Sequence, residues 1–284
     1  MNKQTLLATL LLLTALVDPT AWAGSHAAEP PGTVLITGSN RGIGLAFAGE
    51  YADRGWRVIA TCRTPDRATE LNELAAANPL FSVEELDVTS ADEIAALAER
   101  YKDQPIDLLI NNAAALGDID AQRFGGLDYE LFSTIVDVNL LGPLRVSEAF
   151  LDNVLAGSQK KIIILGSAAG THALLAPGEQ LLAYRSSKAG LHLAAHRMAQ
   201  DLAPRDIIVT IINPGSVDTK GVLDLKPGDP VPDVFKPLIP LIESGELDLM
   251  RPAQSAAAMA IWIDRLGPED SGRFINFDGS EMAW

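Results

Sequence analysis

With a single cysteine, Cys62, in 284 residues, the chain can close no disulfide within itself and build no thiolate cluster for zinc or iron–sulfur. Cysteine usage therefore says nothing about its compartment. Basic residues are also scarce, 22 Lys and Arg against 37 Asp and Glu, a formal charge of -15. A chain of that sign repels phosphate backbones and anionic headgroups, so nucleic acid is not an expected partner. One small anion escapes this exclusion, because the field at a few ångströms is set by neighbours rather than by distant charge. Long apolar runs are missing too. The stretch Leu6 to Val17 is about a dozen residues, short of the roughly 20 that cross a bilayer as a helix. Preceded by Lys3 and followed by Ala21-Trp22-Ala23-Gly24, it has the form of a secretory signal over residues 1–23, cleaved after Ala23. A buried N-terminal helix is the alternative. The expected mature form is exported, periplasmic or secreted, and free of the membrane if that signal operates, and cytoplasmic otherwise. Residues 24–32, with Pro30-Pro31, read as a short leader, since paired prolines resist helix and sheet alike.

What the chain does have is 48% hydrophobic content, enough to bury one large core. From Thr33 onward short β-rich runs alternate with longer helical patterns, the sequence form of a parallel sheet covered on both faces. Strands are expected at Thr33–Thr37, Arg57–Thr61, Phe81–Leu86, Ile106–Asn111, Lys161–Leu165, Ile207–Asn213 and Arg273–Asn276. Helices are expected between them, for example over Ile43–Arg54, Ala91–Tyr101 and Leu127–Leu155. Residues 33–284 thus read as a single α/β domain, a Rossmann-type doubly wound sheet of about seven mostly parallel strands with helices on both faces. Residues 221–250 interrupt the pattern with five prolines and scattered acids, and read as an insertion over a substrate site.

The first strand runs into Gly38-Ser39-Asn40-Arg41-Gly42-Ile43-Gly44 and then into a helix. Glycines let a backbone approach a pyrophosphate closely, and the helix N-terminus offers free N–H groups and partial positive charge. A purely structural tight turn is the competing reading. Downstream, Tyr184 and Lys188 are four residues apart, which on a helix places both on one face. Reduction of a carbonyl needs a proton donor, and a tyrosine serves near neutral pH if a cation stabilises its phenolate. Alone, the pair could be an ordinary surface contact.

The spacing Thr37-Gly38-x-x-x-Gly42-x-Gly44 resembles the fingerprint of the short-chain dehydrogenase/reductase family, and further landmarks follow in that family's order. They are Asp87-Val88, Asn111-Asn112-Ala113-Ala114, Asn139, Gly166-Ser167, Tyr184-Arg185-Ser186-Ser187-Lys188 and Pro214-Gly215, so the resemblance spans about Thr33 to the C-terminus. It implies an NAD(P)-dependent enzyme acting on a small carbonyl or alcohol. By resemblance, Tyr184 is the general acid or base, Ser167 hydrogen-bonds the substrate oxygen, and Lys188 supports Tyr184 and grips the nicotinamide ribose. Asn139 holds the water linking Lys188 to solvent. Asp87 contacts the adenine, Asn111 borders its ribose, and Val217 to Thr219 hold the carboxamide.

Cofactor choice follows from charge. The second strand ends in Ala60-Thr61-Cys62-Arg63 with no acid to bind the ribose hydroxyls of NAD. Arg63, helped by Arg41, has the planar fork that pairs with a 2'-phosphate, which makes NADP(H) preferred over NAD(H); solvated surface arginines are the alternative. Three departures from the family pattern stand out: Ala114 in place of a glycine, Gly166 in place of a second serine, and a gap of 17 residues from Ser167 to Tyr184 that implies an inserted loop at 173–180. His192 and His196 share a helical face at zinc-ligand spacing but lack a third ligand, so no metal is expected. The ending Phe277-Asp278-Gly279-Ser280-Glu281-Met282-Ala283-Trp284, together with Tyr184-Arg185, resembles the C-factor-like, carbonyl-reductase-like branch. That branch carries reductase and signalling roles, so an exported nucleotide-binding signalling protein is the alternative function. Leu223, Val231, Val234, Phe235, Leu238 and Ile239 in the insertion favour an apolar or aromatic substrate. The resemblance allows monomers and homo-oligomers alike.

Overall fold

The structure is a computed structural model that describes residues 30–172, 181–226, 228–232, 235–236, 239–245 and 247–284. The expected signal at 1–23, most of the leader, the inserted loop at 173–180, Val234 and Leu238 lie outside the described residues. Seven strands, β1 (Thr33–Ile36), β2 (Arg57–Cys62), β3 (Phe81–Glu85), β4 (Leu108–Asn111), β5 (Lys161–Leu165), β6 (Ile208–Asn213) and β7 (Phe274–Asn276), form one sheet. Its order is β3-β2-β1-β4-β5-β6-β7 and every neighbouring pair is parallel. The order in which strands are added reverses between β1 and β4, which opens the crevice where such sheets bind ligands.

Both faces of the sheet are covered, which explains the near-continuous apolar strands. Val34 and Ile36 of β1 enter one core with Phe47, Tyr51, Met259 and Ile263, while Leu35 between them enters the other with Val146, Phe150 and Leu191. The first core is roofed by α1 (Gly42–Asp53) and α9 (Pro252–Arg265), with α2 (Thr69–Ala77) at its edge. The second is roofed by α3 (Ala91–Arg100), α5 (Gly142–Ala149) and α7 (Leu182–Leu202).

Local signals set the helix ends. Ser90 caps α3 by accepting from Glu93 N, with Asp92 and Glu93 in the first turn and Arg100 in the last, each complementing the helix dipole. The helix expected over Leu127–Leu155 is instead divided. Asp128 caps α4 (Tyr129–Val136), a π-helical turn occupies Asp137–Leu141, α5 follows, and Phe150 separates it from α6 (Leu151–Ala156). The continuous apolar periodicity conceals the wide turn, because adding one residue per turn shifts the face without changing residue type. Within the insertion, a single 3-10 turn at Val222–Asp224 and the short α8 (Ile239–Glu243) are the regular pieces among the described residues. No helix among the described residues is long and apolar enough to cross a membrane.

Candidate active site

The glycine loop is built by backbone demands. Gly38 has φ +68° and lies against Ala113, where a Cβ would come 2.9 Å from that residue's Cα. At Gly44 a Cβ would strike the Gly38 carbonyl and sit 2.5 Å from Asn112 Nδ2, so only glycine lets α1 begin this close to the turn. Ser39 is buried, its Oγ donating to Ile36 O at 2.9 Å and its N–H to Thr61 O at 2.8 Å. That second bond sets the loop beside the end of β2, so Arg41 and Arg63 are presented, both exposed, on adjoining turns two residues beyond Ser39 and Thr61. Asn40 is exposed and Ile43 packs on the first core.

The β4 end is tied to the same loop. Thr37 Oγ1 accepts from Asn112 N and Ala113 N at 3.0 Å, and Asn112 Nδ2 donates to Thr37 O at 2.8 Å and Gly38 O at 3.0 Å. Asn111 turns inward, donating from Nδ2 to Ser147 Oγ at 3.0 Å, with its Oδ1 buried and unpartnered. Asp87 Oδ1 accepts from Thr89 N and Oγ1 at 2.9 and 2.7 Å, and Val88 is buried against Gly142 at the end of the π turn. After β6, Gly215 takes φ +79°, Val217 pairs with Met250, and the Thr219 methyl reaches the glycine loop, 3.3 Å from where Gly42 would carry a Cβ. Pro214 O accepts from Ser255 Oγ at 2.7 Å, which fixes this segment to α9. The residues expected at the cofactor therefore gather at the ends of five strands, β1, β2, β3, β4 and β6.

The opposite wall is helix α7. Tyr184, Lys188 and His192 stand on one face at four-residue steps, docked along the end of β5. The Ser167 hydroxyl lies beside the Tyr184 side chain, near enough to lower its pKa. Lys188 is buried, and its Nζ donates to Leu165 O at 2.8 Å and sits 6.0 Å from the Tyr184 ring centroid. Burial pushes Lys188 down to about 8. Burial likewise pushes Tyr184 up from its usual value, and the Ser167 hydroxyl opposes that rise. The expected lowering of Tyr184 by the lysine charge is thus not what dominates in the chain itself: loss of hydration outweighs a cation whose nearest partner is a carbonyl. Asn139, fully buried on the π turn, accepts from Ala115 N at 2.7 Å and donates to Ala115 O at 2.9 Å and Ser187 Oγ at 3.0 Å. Its side chain joins the β4 loop to α7 next to Lys188.

Two residues that sequence reasoning did not single out hold this wall. Gln122, 1% exposed, accepts from Tyr184 N at 3.0 Å and donates to Leu116 O and Asp118 O at 2.8 and 2.9 Å. It supplies from a distant loop the acceptor that the α7 N-terminus lacks, since Leu181 makes no side-chain cap. No sequence signal marks it, because a cap donated from another segment has no fixed spacing. Asn213 bridges Ala168 N at 3.1 Å and Asn276 Oδ1 at 2.8 Å. The paired histidines expected on one helical face do not point at a common centre: His196 Nδ1 meets Gly272 O at 2.9 Å, while His192 is buried beneath Ser167.

The segment that follows Thr219 is held by hydrogen bonds near both of its ends. Asp218 accepts from Val222 N and Leu223 N at 2.8 Å, and Arg251 makes a two-pronged pair with Asp224 at 2.9 and 2.8 Å. Phe235 is buried and Leu223 is exposed.

Comparison with known proteins agrees with the fold. The family model for short chain dehydrogenases matches residues 32–228. A short chain dehydrogenase of Penicillium aethiopicum is 34% identical over 263 residues, covering 89% of this chain and 100% of its own length. The C-signal protein of Myxococcus xanthus is 33% identical over 181 residues, 63% of this chain and 93% of its own. Among solved structures, the NADPH-bound carbonyl reductase from chicken fatty liver superposes with a TM-score of 0.75 at 30% identity, over 90% of this chain and 100% of that one.

Proposed function

We propose, from the premise that the chain belongs to the short-chain dehydrogenase/reductase family and is an oxidoreductase, that it reduces a carbonyl with NADPH, Tyr184 donating the proton. The observation that carries this is the convergence of Tyr184, Ser167 and Lys188 at the end of β5, across the crevice from the glycine loop. The residues fit a dinucleotide phosphate. Gly38 and Gly44 let the turn close against Ala113 and Asn112 and start α1 directly behind it. There α1 would offer its N-terminal N–H groups to a phosphate, and Arg41 and Arg63 are exposed beside that turn, where they would meet a 2'-phosphate. The likeness to an NADPH-bound carbonyl reductase supports the same preference, and NAD(H) is the weaker ligand. Asp87, Val88 and Asn111 would border the adenosine, and Pro214, Gly215, Val217 and Thr219 the nicotinamide end.

NADPH, when bound, supplies the hydride; the chain's own groups manage the proton. Burial keeps Tyr184 protonated at neutral pH, which suits an acid for reduction. As the substrate oxygen gains negative charge, Tyr184 releases its proton to it and the Ser167 hydroxyl donates a hydrogen bond to the same oxygen. The resulting phenolate gains from Lys188, one helical turn away and held in place by Leu165 O. Asn139 secures the α7 segment that carries both. A signalling role alone gives no physical reason to bury a lysine beside a tyrosine. The apolar residues of the insertion support an apolar or aromatic carbonyl compound as substrate, and residues 1–23 an export signal, for which the mass of the mature N-terminus is the check.

The decisive experiment titrates NADPH and NADH into the purified chain and assays a panel of aldehydes and ketones beside Tyr184→Phe. Tight NADPH binding with turnover lost in the variant is the expected result. Binding with no turnover on any carbonyl sinks the reading.

A further inference from the structure

His192 is a buried titratable group that the reaction above does not use. It is 2% exposed, one helical turn beyond Lys188, and its Nε2 accepts from Ser167 N at 3.2 Å. The backbone after β5 leaves the sheet at this point: Gly166 N still donates to Ile212 O at 2.9 Å, and Ala168 N is taken by Asn213 Oδ1 at 3.1 Å. The Ser167 amide between them has no strand or side-chain amide to receive it, and the imidazole fills that place. The ring is there only because two glycines make room. A Cβ at Gly166 would come 2.8 Å from His192 Nε2, and one at Gly170 would come 2.8 Å from its Cε1. Phe274 and the C-terminal Trp284 close the other side, with ring centroids 4.4 and 6.3 Å from the imidazole. Gly166, an oddity in the sequence because a serine is the commoner neighbour of Ser167, thus has a physical reason.

We propose that His192 is the positioning residue for Ser167, a neutral imidazole whose Nε2 receives the Ser167 amide and so fixes the backbone from which that hydroxyl reaches Tyr184 and the substrate oxygen. This rests on the reading of Ser167 as the hydroxyl that meets the substrate. The helix α7 then holds one strand end by two hydrogen bonds, Lys188 Nζ to Leu165 O and Ser167 N to His192 Nε2, with Tyr184 beside the Ser167 hydroxyl. Accepting at Nε2 requires the proton on Nδ1. Burial, aided by the neighbouring Lys188 charge, holds the imidazole down at about 3, so it stays neutral throughout the neutral range.

The test compares the wild-type chain with His192→Leu, which has no acceptor, and His192→Gln, whose Oε1 reaches the place of Nε2. Amide exchange at Ser167 is expected to quicken about 10-fold or more in His192→Leu and to stay within about 3-fold in His192→Gln. With NADPH and para-nitrobenzaldehyde, kcat is expected to fall about 10-fold in the leucine variant and recover in the glutamine variant, with NADPH affinity unchanged in both. Placed on Ser167→Ala, His192→Leu should lower kcat no further. Equal losses in the two variants, unaltered exchange at Ser167, or a full additional loss on Ser167→Ala overturns the proposal. Should His192→Leu not fold, Gly166→Ala displaces the ring from the other side and is expected to give the same exchange and kcat signature; wild-type exchange there overturns it equally. Full turnover in Ser167→Ala removes the role of Ser167 itself, and the exchange rates distinguish that outcome from failure of the His192 contact.

Discussion

At the scale of the residue, the proposed cofactor choice comes down to one or two guanidinium groups on an acidic molecule. Arg63 stands two residues beyond Thr61, whose carbonyl receives the Ser39 amide, so its backbone lies beside the glycine loop. Arg63→Ala is expected to raise the NADPH Kd about 10-fold and leave that for NADH nearly unchanged, read by fluorescence titration of each nucleotide. Equal weakening of both would assign Arg63 to the surface. Gly44 is a stricter case. A methyl there must enter space held by the Gly38 carbonyl and Asn112, so Gly44→Ala should reduce affinity for both nucleotides and lower Tm together. The pH dependence follows from Lys188, whose burial lowers it to about 8. Its charge is present below that value and lost above it, so the reduction rate should decline as pH rises through about 8, while Tyr184, raised by burial, remains an acid. A pH profile of kcat for carbonyl reduction that stays flat to pH 10 would remove Lys188 charge from the mechanism.

At the scale of the element, α7 is the working part, and its first turn depends on a residue from elsewhere. Gln122 holds the Tyr184 amide and two carbonyls of the loop after β4. Gln122→Ala leaves a buried N–H without its acceptor, a loss of about 1–3 kcal/mol, to be measured by urea unfolding. Activity should fall more than stability alone explains, since the affected turn carries the tyrosine. The insertion is a different kind of element, fastened by exposed charges. Arg251 and Asp224 are each about half exposed or more, so their pair is screened by water and contributes little to global stability. Arg251→Ala is therefore expected to leave Tm unchanged and, if the segment after Thr219 borders the substrate as proposed, to raise substrate KM, because what it loses is the tie between Asp224 and the start of α9.

At the scale of the whole molecule, the folded chain should be sensitive to acid. His192 is held at about 3 against an ordinary 6.5, so the unfolded chain binds its proton first, and stability present above pH 6.5 is lost as pH falls toward 3. Asp107 adds to this in the lower part of that window. Burial, which would raise it, is outweighed by hydrogen bonds from Ser158, Thr33 and Gln159, so its carboxyl lies below the usual value and its contribution disappears as pH drops through that depressed value. Urea unfolding free energies at pH 7, 5 and 4 should decline steadily, and His192→Gln should flatten the decline above pH 5. An unchanged slope in that variant would assign the acid sensitivity to carboxylates alone.

The parallel sheet was legible because strands buried on both faces must be apolar throughout, as Val34-Leu35-Ile36 and Ile162-Ile163-Ile164 are. The glycine loop was legible because Gly38 and Gly44 answer local backbone demands, and Tyr184 with Lys188 because a helix fixes which residues share a face. The sequence by itself therefore determined the strand and helix order, the glycine turn between β1 and α1, and the pairing along α7. Only the tertiary structure decided the rest. It divided Leu127–Leu155 at a π turn, set burial above the lysine charge as the dominant influence on Tyr184, and brought Gln122, Asn112 and His192 to the amides and carbonyls they hold. The physical reason is distance along the chain. Periodicity and turn chemistry act over a few residues, whereas a buried amide takes its partner from whatever segment the packing places beside it.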